Sequence, residues 1–495
     1  MRLAELLTGI AKDVSASNAE QFADMNVTGV SCDSRRIEPG YVFAALPGTN
    51  ADGRDYIDNA VSRGAIAVLA ADGTRHEYFS KPFALVTDEN PRQCYSKMAS
   101  TFHGAQPGCV AAVTGTNGKT SVVTFVRQIW AALGIKAASA GTLGVQASGD
   151  GLDINYPGSL TTPDPTDLHQ VMAELAREGV DHMAIEASSH GLDQYRLDGV
   201  HIDIAAFTNL TRDHLDYHGD TATYFKAKRR LFSDLLRGGG TVVLNADVPE
   251  FSDLKKLADK RNCKVISFGY KATDIVLKSV VPYDNGQQIS MSLFGRDVSL
   301  EFPLIGSFQV DNAMCALGIV IAAGEGPYRA VETLHFLQGV RGRLELAGTL
   351  VNGANVYVDF AHTADALVSA LQTMRPHVSG RLVVLFGCGG DRDPGKRIEM
   401  GRAACENADY VILSDDNPRS EDPAAIRAQA REGCPDATEI DDRAEAIAFG
   451  VVMLEPGDLF VVAGKGHEQG QIIGDEVHPF DDASVVRAAI AQVNS

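Results

Sequence analysis

The chain has 495 residues, 45% apolar and 22% charged, which is too long for one ordinary core and too apolar for a disordered polymer. Its formal charge of −20 disfavours a nucleic-acid partner, so an anionic small molecule would have to be held by locally placed Lys, Arg and helix N-termini. The eight Cys include no C-x-x-C pair, which argues for free thiols in a reducing compartment and against structural zinc.

No apolar run approaches the ~20 residues that span a bilayer. Residues 1–11 carry Arg2 and Glu5 and lack a signal-peptide pattern, so the expectation is a soluble, cytoplasmic protein. Runs 41–46, 65–70 and 83–86 read as short buried strands of a small α/β unit with a turn-rich segment at 47–53. A second turn-rich stretch, 104–108, marks a first domain boundary.

Next comes an apolar strand pattern at 109–113, then Gly115-Thr116-Asn117-Gly118-Lys119-Thr120-Ser121, then a helical run at 122–133. Strand, Gly-rich turn and helix N-terminus together aim backbone N–H groups at phosphate. A Lys in such a loop reaches the β and γ phosphates, and the following Thr hydroxyl holds Mg²⁺. The loop is shorter than the usual one, because position 113 is Val where that pattern has Gly. A plain Gly-rich surface turn is the competing reading, and the flanking strand and helix favour phosphate.

Run 182–186 is strand-like and ends in Glu186, where open α/β sheets place their ligands and where a carboxylate can hold Mg²⁺. Behind it, Ser188 to Arg196 supplies small hydroxyls, Gln194 and Arg196, which suit an anion-binding loop; the Gly-x-Ser-x-Gly elbow of a hydrolase is absent. A strand at 204–208 leads into Asp213-His214, and a His at a strand-end loop beside an Asp is a plausible metal ligand. Tyr224, Lys228, Leu231 and Phe232 share one helical face, with Lys226, Arg229 and Arg230 pointing elsewhere. Lys228 is therefore the one cation on an apolar stripe. It either snorkels over apolar surface or is desolvated, neutral and nucleophilic.

After a further strand at 241–245, a second boundary falls near 338–343. Strand patterns at 356–360, 382–387, 410–414 and 459–463 then alternate with helices, as in a dinucleotide fold. The loop from Gly387 begins like a dinucleotide fingerprint, but Arg392 stands where its third Gly belongs, so NAD is not expected. Arg392, Arg419 and Glu468 all follow strands. One sheet mouth would thus present two Arg for a carboxylate and one Glu for an ammonium, the complement of an amino acid.

The short loop resembles the ATP site of the Mur ligases and of the related folylpolyglutamate synthetases, which join a carboxylate to an amine with ATP. Glu186-Ala-Ser-Ser-His-Gly-Leu192 and Asp213-His-Leu-Asp-Tyr-His-Gly219 are similar to Mur ligase motifs nearly residue for residue. The resemblance implies an α/β fold in three domains: 1–106 for the UDP substrate, 107–338 with a P-loop ATPase-like parallel sheet, and 339–495, dinucleotide-fold-like, for the amino acid. It implies ATP contacts from Gly115 through Ser121 and from Asn312, Arg343 and Asp359. It implies Mg²⁺ at Thr120, Glu186, His214 and Lys228, the last as a carbamate. Lys119, Lys228, His214, Glu186 and Arg343 would be catalytic. Ser34, Thr161, Thr162, Ser188, Gln194 and Arg196 would hold the UDP-muramoyl dipeptide, with the turns 33–35 and 49–53 matching where relatives hold the nucleotide. Gln309, Phe360 and Ala364 depart from the family's usual Asn, Tyr and Pro.

Asp416-Asn417-Pro418-Arg419 is similar to the motif of the branch that adds meso-diaminopimelate rather than L-lysine, with Arg392, Gly464 and Glu468 completing that site. The expected partners are thus UDP-MurNAc-dipeptide, meso-diaminopimelate and ATP, acting on a monomer without nucleic acid or membrane. An L-lysine-adding ligase, a folylpolyglutamate synthetase and a P-loop NTPase switch are the alternatives.

Overall fold

The structure, a computed structural model, describes residues 1–8, 10, 24–48, 51–75, 83–149, 151–158, 160–211, 213–283 and 286–494. Thr49 and Asn50 of the first turn-rich segment lie outside the described residues. The chain divides into two compact units, residues 1–275 with 314–331, and residues 276–313 with 332–495.

The first unit contains two sheets. Strands Gly29–Ser31, Tyr41–Ala45, Ala67–Ala71 and Ala84–Asp88 pair in chain order, all parallel. Their near-continuous apolar sequences fit a sheet covered on both faces. Helix Pro91–His103 starts with Pro in its first turn under an Asn90 cap that accepts from Gln93 N at 3.2 Å. It packs against helix Pro165–Arg177, with Tyr95 Oη donating to Asp164 Oδ1 at 2.7 Å and Thr166 Oγ1 donating to Val30 O at 3.1 Å.

The larger sheet runs Lys264–Gly269, Leu236–Asn245, Ile202–Phe207, Cys109–Thr114, His182–Glu186, Ala137–Gly141, Gly144–Gly149, Leu152–Tyr156. Its first six strands are parallel and the last two fold back antiparallel. Cys109–Thr114 is flanked on both sides, with Val113 opposite Glu186 and Thr114 opposite Phe207. That register brings three strand ends together at one edge: the loop from Gly115, Glu186 and the segment from Thr208. Helix Lys119–Ala132 covers the sheet through the buried Phe125, Ile129 and Trp130.

The second unit holds an antiparallel pair, Gly286–Leu293 with Arg296–Phe302, and a six-stranded sheet. In order, its strands are Glu345–Thr349, Asn355–Asp359, Leu459–Ala463, Leu382–Phe386, Tyr410–Leu413 and Thr438–Glu439. Only the first is antiparallel to its neighbour. Asp359, Gly464, Gly387 and Asp415 therefore leave the sheet at the same edge. The strand patterns at 382–387 and 410–414 run one residue too far, 356–360 is displaced by one residue at both ends, and 459–463 matches. Sequence reading passed over Glu345–Thr349, which lies between the Arg343 loop and Asp359.

Candidate active site

Gly118 takes the left-handed conformation (φ 85°) that lets Lys119 open its helix. Gly115 has φ 151°, and a Cβ there would lie 1.9 Å from Thr208 Oγ1, so the loop depends on that glycine to pass close to the neighbouring strand end. Thr208 Oγ1 donates to Asn117 O at 2.6 Å, Thr116 N to Asn209 O at 2.9 Å, and Asn117 N to Asn209 Oδ1 at 3.0 Å. The loop is thus clamped by the segment that follows the adjacent strand.

Two lysines converge on this loop. Lys119 Nζ donates to Gly115 O at 2.9 Å and Thr116 O at 2.8 Å, and Lys228 Nζ donates to Gly115 O at 2.7 Å. The stripe read from the sequence is the buried face of helix Thr221–Arg230 and the turn after it: Tyr224, Lys228, Leu231 and Phe232 are all 2% exposed or less. Burial first, and then Lys119, push the Lys228 amine down to about 6, with Asp213 pulling the other way. Snorkelling is excluded for a side chain 1% exposed, and the amine lies 4.4 Å from the Tyr224 ring centre.

Glu186, 1% exposed, ends its strand with Oε1 accepting from Thr142 N at 2.8 Å. The Thr142 hydroxyl is also 3.1 Å from Thr161 Oγ1. Thr162 Oγ1 bonds Glu186 O at 2.8 Å and Ser188 Oγ at 2.9 Å, and Ser188 in turn caps the following short helix through Gly191 N. Arg196 donates to Thr162 O at 2.8 Å and to Gln194 Oε1 at 2.6 Å. A cavity of about 290 Å³ is lined by Lys119, Thr161, Thr162, Ser188, Arg196, His214 and Lys228, together with Leu160, Ser189, His190 and Tyr224. Lys119, the Lys228 amine and four of the expected substrate residues therefore share one space. Ser34 is buried at the start of a one-turn helix capped by Asp33, in the smaller sheet's half of the unit.

Among the described residues no three His, Cys, Asp or Glu side chains are grouped to hold a metal. Glu186 and the Thr120 hydroxyl offer the oxygen ligands that Mg²⁺, a hard cation, takes alongside water and phosphate oxygens, while His214 brings an imidazole nitrogen. His214, at φ 51°, stacks edge-on against His190 at 4.8 Å.

In the second unit, Asp359 accepts from Leu344 N and Ala361 N, both at 2.8 Å, and burial raises its pKa. Its carboxylate thus shapes the loop that carries Arg343, whose guanidinium lies over the Phe360 ring at 4.8 Å. Asn312 donates to Gln309 Oε1 at 3.1 Å, so the departure at 309 meets the side chain expected at adenine.

The amino-acid candidates gather where three strands end. A Cβ on Gly390 would lie 1.9 Å from Pro418 O, and one on Gly389 would meet Arg419 Nη1 at 2.8 Å, so two glycines let the Arg392 and Arg419 loops touch. Arg419, at φ 51°, donates to Gly390 O at 2.8 Å. Asn417 Nδ2 donates to Glu468 Oε2 at 2.9 Å. Asp416 is buried with its pKa raised by desolvation, and Gly464, at φ 117°, would place a Cβ 2.6 Å from its Oδ2.

Sequence reading missed the groups behind this surface. Lys465 is fully buried and reaches both Asn417 and Glu468. Arg443 and Asp482, each 0% exposed, form a two-bond ion pair at 2.8 Å. In the first unit, Arg230, expected to point away from the Lys228 stripe, pairs with Asp198 and lies over the Tyr195 ring at 4.0 Å.

The sequence matches three family descriptions in succession: "Mur ligase family, catalytic domain" over residues 26–103, "Mur ligase middle domain" over 113–320, and "Mur ligase, glutamate ligase domain" over 342–466. A Caulobacter vibrioides protein named UDP-N-acetylmuramoyl-L-alanyl-D-glutamate--2,6-diaminopimelate ligase is 47% identical over 95% of this chain and 97% of its own. A Rhizobium meliloti protein of the same name is 47% identical over 99% of both chains. A solved structure under that name superposes with a TM-score of 0.70 at 33% identity, over 95% of this chain and 96% of its own. The chain belongs to the Mur ligase family.

Proposed function

We propose that the chain catalyses the reaction for which these relatives are named. It joins the D-glutamate carboxylate of UDP-N-acetylmuramoyl-L-alanyl-D-glutamate to an amine of 2,6-diaminopimelate, the meso isomer, with conversion of ATP to ADP and phosphate. The observation that carries this reading is the shared cavity, in which Lys119 faces the same space as Thr161, Thr162, Ser188 and Arg196. A phosphate-binding lysine beside hydroxyls and a guanidinium suits a nucleotide-linked carboxylate that must meet a γ-phosphate.

A carboxylate is a poor electrophile until one oxygen becomes a leaving group. Its oxygen attacks the γ-phosphorus, the bond to ADP breaks, and an acyl phosphate forms. The diaminopimelate amine then attacks the acyl carbon, phosphate leaves with the carboxyl oxygen, and the amine releases a proton. Positioning and charge neutralisation are most of what a protein can add to the first step. The loop N–H groups and Lys119 do both. Glu186, Thr120, His214 and a carbamate on Lys228 would hold Mg²⁺, which supplies further neutralisation of phosphate charge. Lys228 is suited to carbamylation because burial and Lys119 push its amine down to about 6, and only a neutral amine adds to CO₂. Asn312, Arg343 and Asp359 are proposed to serve the nucleotide, and Arg392, Arg419 and Glu468 the far head group of diaminopimelate, with Asp416, Asn417, Pro418 and Gly464 shaping that clamp. In this reading residues 1–106, 107–338 and 339–495 serve the UDP substrate, ATP and the amino acid in turn, in a monomeric cytoplasmic enzyme. No helix among the described residues is long and apolar enough to cross a membrane.

The test offers ATP, Mg²⁺ and the UDP-dipeptide with either meso-diaminopimelate or L-lysine, and measures phosphate and the mass of the UDP-peptide. Product with diaminopimelate alone is expected. Product mainly with lysine would keep the ligase and overturn the assignment of the clamp, while phosphate release without a co-substrate would point to an NTPase.

A further inference from the structure

We propose that Lys465 is the positioning residue of the amino-acid clamp: it anchors Asn417 and one oxygen of Glu468, so that the other oxygen of that carboxylate is left for the ammonium of the incoming amino acid. The inference rests on the ligase reading above and names the group that makes that clamp selective.

Lys465 follows strand Leu459–Ala463 and lies between Gly464 (φ 117°) and Gly466 (φ 55°). Both glycines are in tight places: a Cβ on Gly464 would meet Asp416 Oδ2 at 2.6 Å, and one on Gly466 would meet Phe360 Cβ at 2.7 Å. The loop therefore turns sharply on either side of Lys465, drives its side chain inward to 0% exposure, and brings Glu468 round to meet it.

The bonds fix every group in turn. Lys465 Nζ donates to Asn417 Oδ1 at 3.0 Å and to Glu468 Oε2 at 3.2 Å. Asn417 Oδ1 also accepts from Ile472 N at 2.9 Å, so both donors fall on one end of the amide and its Nδ2 must face the carboxylate. Nδ2 donates to Glu468 Oε2 at 2.9 Å, the same oxygen that Lys465 holds. Oε1 takes part in neither bond, and the Glu468 side chain is 37% exposed while Lys465 is not. The carboxylate is thus split into an inner oxygen held by two donors and an outer oxygen outside both bonds, on a side chain that reaches the surface.

A buried ammonium is costly, and an aliphatic side chain of similar length would fill the same volume without that cost. What the ammonium adds is direction. Without it, Asn417 keeps one donor and can flip, and Glu468 can rotate its free oxygen away from the substrate.

The test compares wild type with Lys465→Met, Lys465→Gln and Lys465→Arg in the full chain, varying meso-diaminopimelate, ATP and the UDP-dipeptide separately. In Lys465→Met the KM for diaminopimelate should rise about tenfold or more, the KM values for ATP and UDP-dipeptide should stay within about twofold, and Lys465→Arg should recover part of the loss. An unchanged KM for diaminopimelate overturns the proposal, and so does an equal rise in all three constants. If Lys465→Met does not fold, Lys465→Gln, which keeps a donor and drops the charge, is judged by the same comparison. Hydroxylamine, offered to the wild type in place of the amino acid, traps an acyl phosphate as a hydroxamate. A wild type that forms neither hydroxamate nor peptide defeats the ligase reading itself, whereas hydroxamate with an unmoved KM in the variants defeats only the role given to Lys465.

Discussion

In the first unit Lys119 and Lys228 set their nitrogens on main-chain carbonyls of the phosphate loop, whereas in the second unit Lys465, Arg397 and Arg443 are each laid against a carboxylate. A carbonyl oxygen carries only part of a charge, so these bonds do not neutralise a lysine as a carboxylate does. The second arrangement is neutralised before a ligand arrives, so in the proposed function it selects by geometry, through the outer oxygen of Glu468 and the guanidinium groups at 392 and 419. In the proposed function the first site receives phosphate and carboxylate, and the second the zwitterion of an amino acid.

The sharpest way to break this comparison is to remove charge from the first site. Lys119→Ala should lower product formation by about a thousandfold, since a cation aimed at developing phosphate charge in a water-poor site is worth several kcal/mol. Steady-state phosphate release that depends on both co-substrates is the measurement, and a loss of only a few-fold would mean that the loop N–H groups suffice. Lys228→Ala should cost somewhat less, about a hundredfold, and should regain activity with added formate or acetate if a carbamate normally supplies a negative oxygen there. Full activity in that variant, or a deep loss that short carboxylates never relieve, would remove the carbamate from the mechanism.

The sites differ as much in how far they could be read from sequence. Parallel strands buried on both faces leave continuous apolar runs, which is why 182–186 and 459–463 were found to the residue. Ala137–Gly141, fully buried one strand beyond His182–Glu186, has the sequence AASAG, with no β-branched or aromatic residue to announce it. It needs small residues there: a Cβ on Gly141 would lie 2.0 Å from Glu186 Oε1. Antiparallel strands such as Gly144–Gly149 and Leu152–Tyr156 were missed because their patterns are short and partly polar. Lys228 was legible because helical periodicity puts it among apolar neighbours. Lys465 was not, because a lysine between two glycines looks like a surface turn until the glycines are seen to bend it inward. Arg443 and Asp482 are 39 positions apart and nothing local links them.

The second site should respond to shape rather than charge. Arg419→Lys keeps the cation but loses the fork, so kcat/KM for meso-diaminopimelate should fall about tenfold and the preference over L-lysine should shrink. If selectivity survives intact, recognition lies elsewhere in the clamp.

The smallest effect tests whether Lys228 is truly neutral, and its sign can be worked out. In the unfolded chain the amine holds its proton up to the ordinary value of 10.5, and in the folded protein it gives it up near 6. Between those values the unfolded state binds more protons, so folding is strengthened as pH rises, by at most about 1.4 kcal/mol per pH unit from this group. Below 6 both states are protonated and the folded protein bears the full cost of a buried ammonium; above 10.5 neither is and the cost is gone. Other groups titrate in the same window, so the readout is the difference between wild type and Lys228→Met in urea unfolding from pH 6.5 to 8.5. CO₂ must be excluded, because carbamylation would add a charge of the opposite sign. Wild type should gain stability with pH more steeply than the variant. Parallel curves would mean that Lys228 stays protonated on Gly115 O, and the first site would then hold two lysine cations, one buried and one half-buried, rather than one cation and one neutral nucleophile.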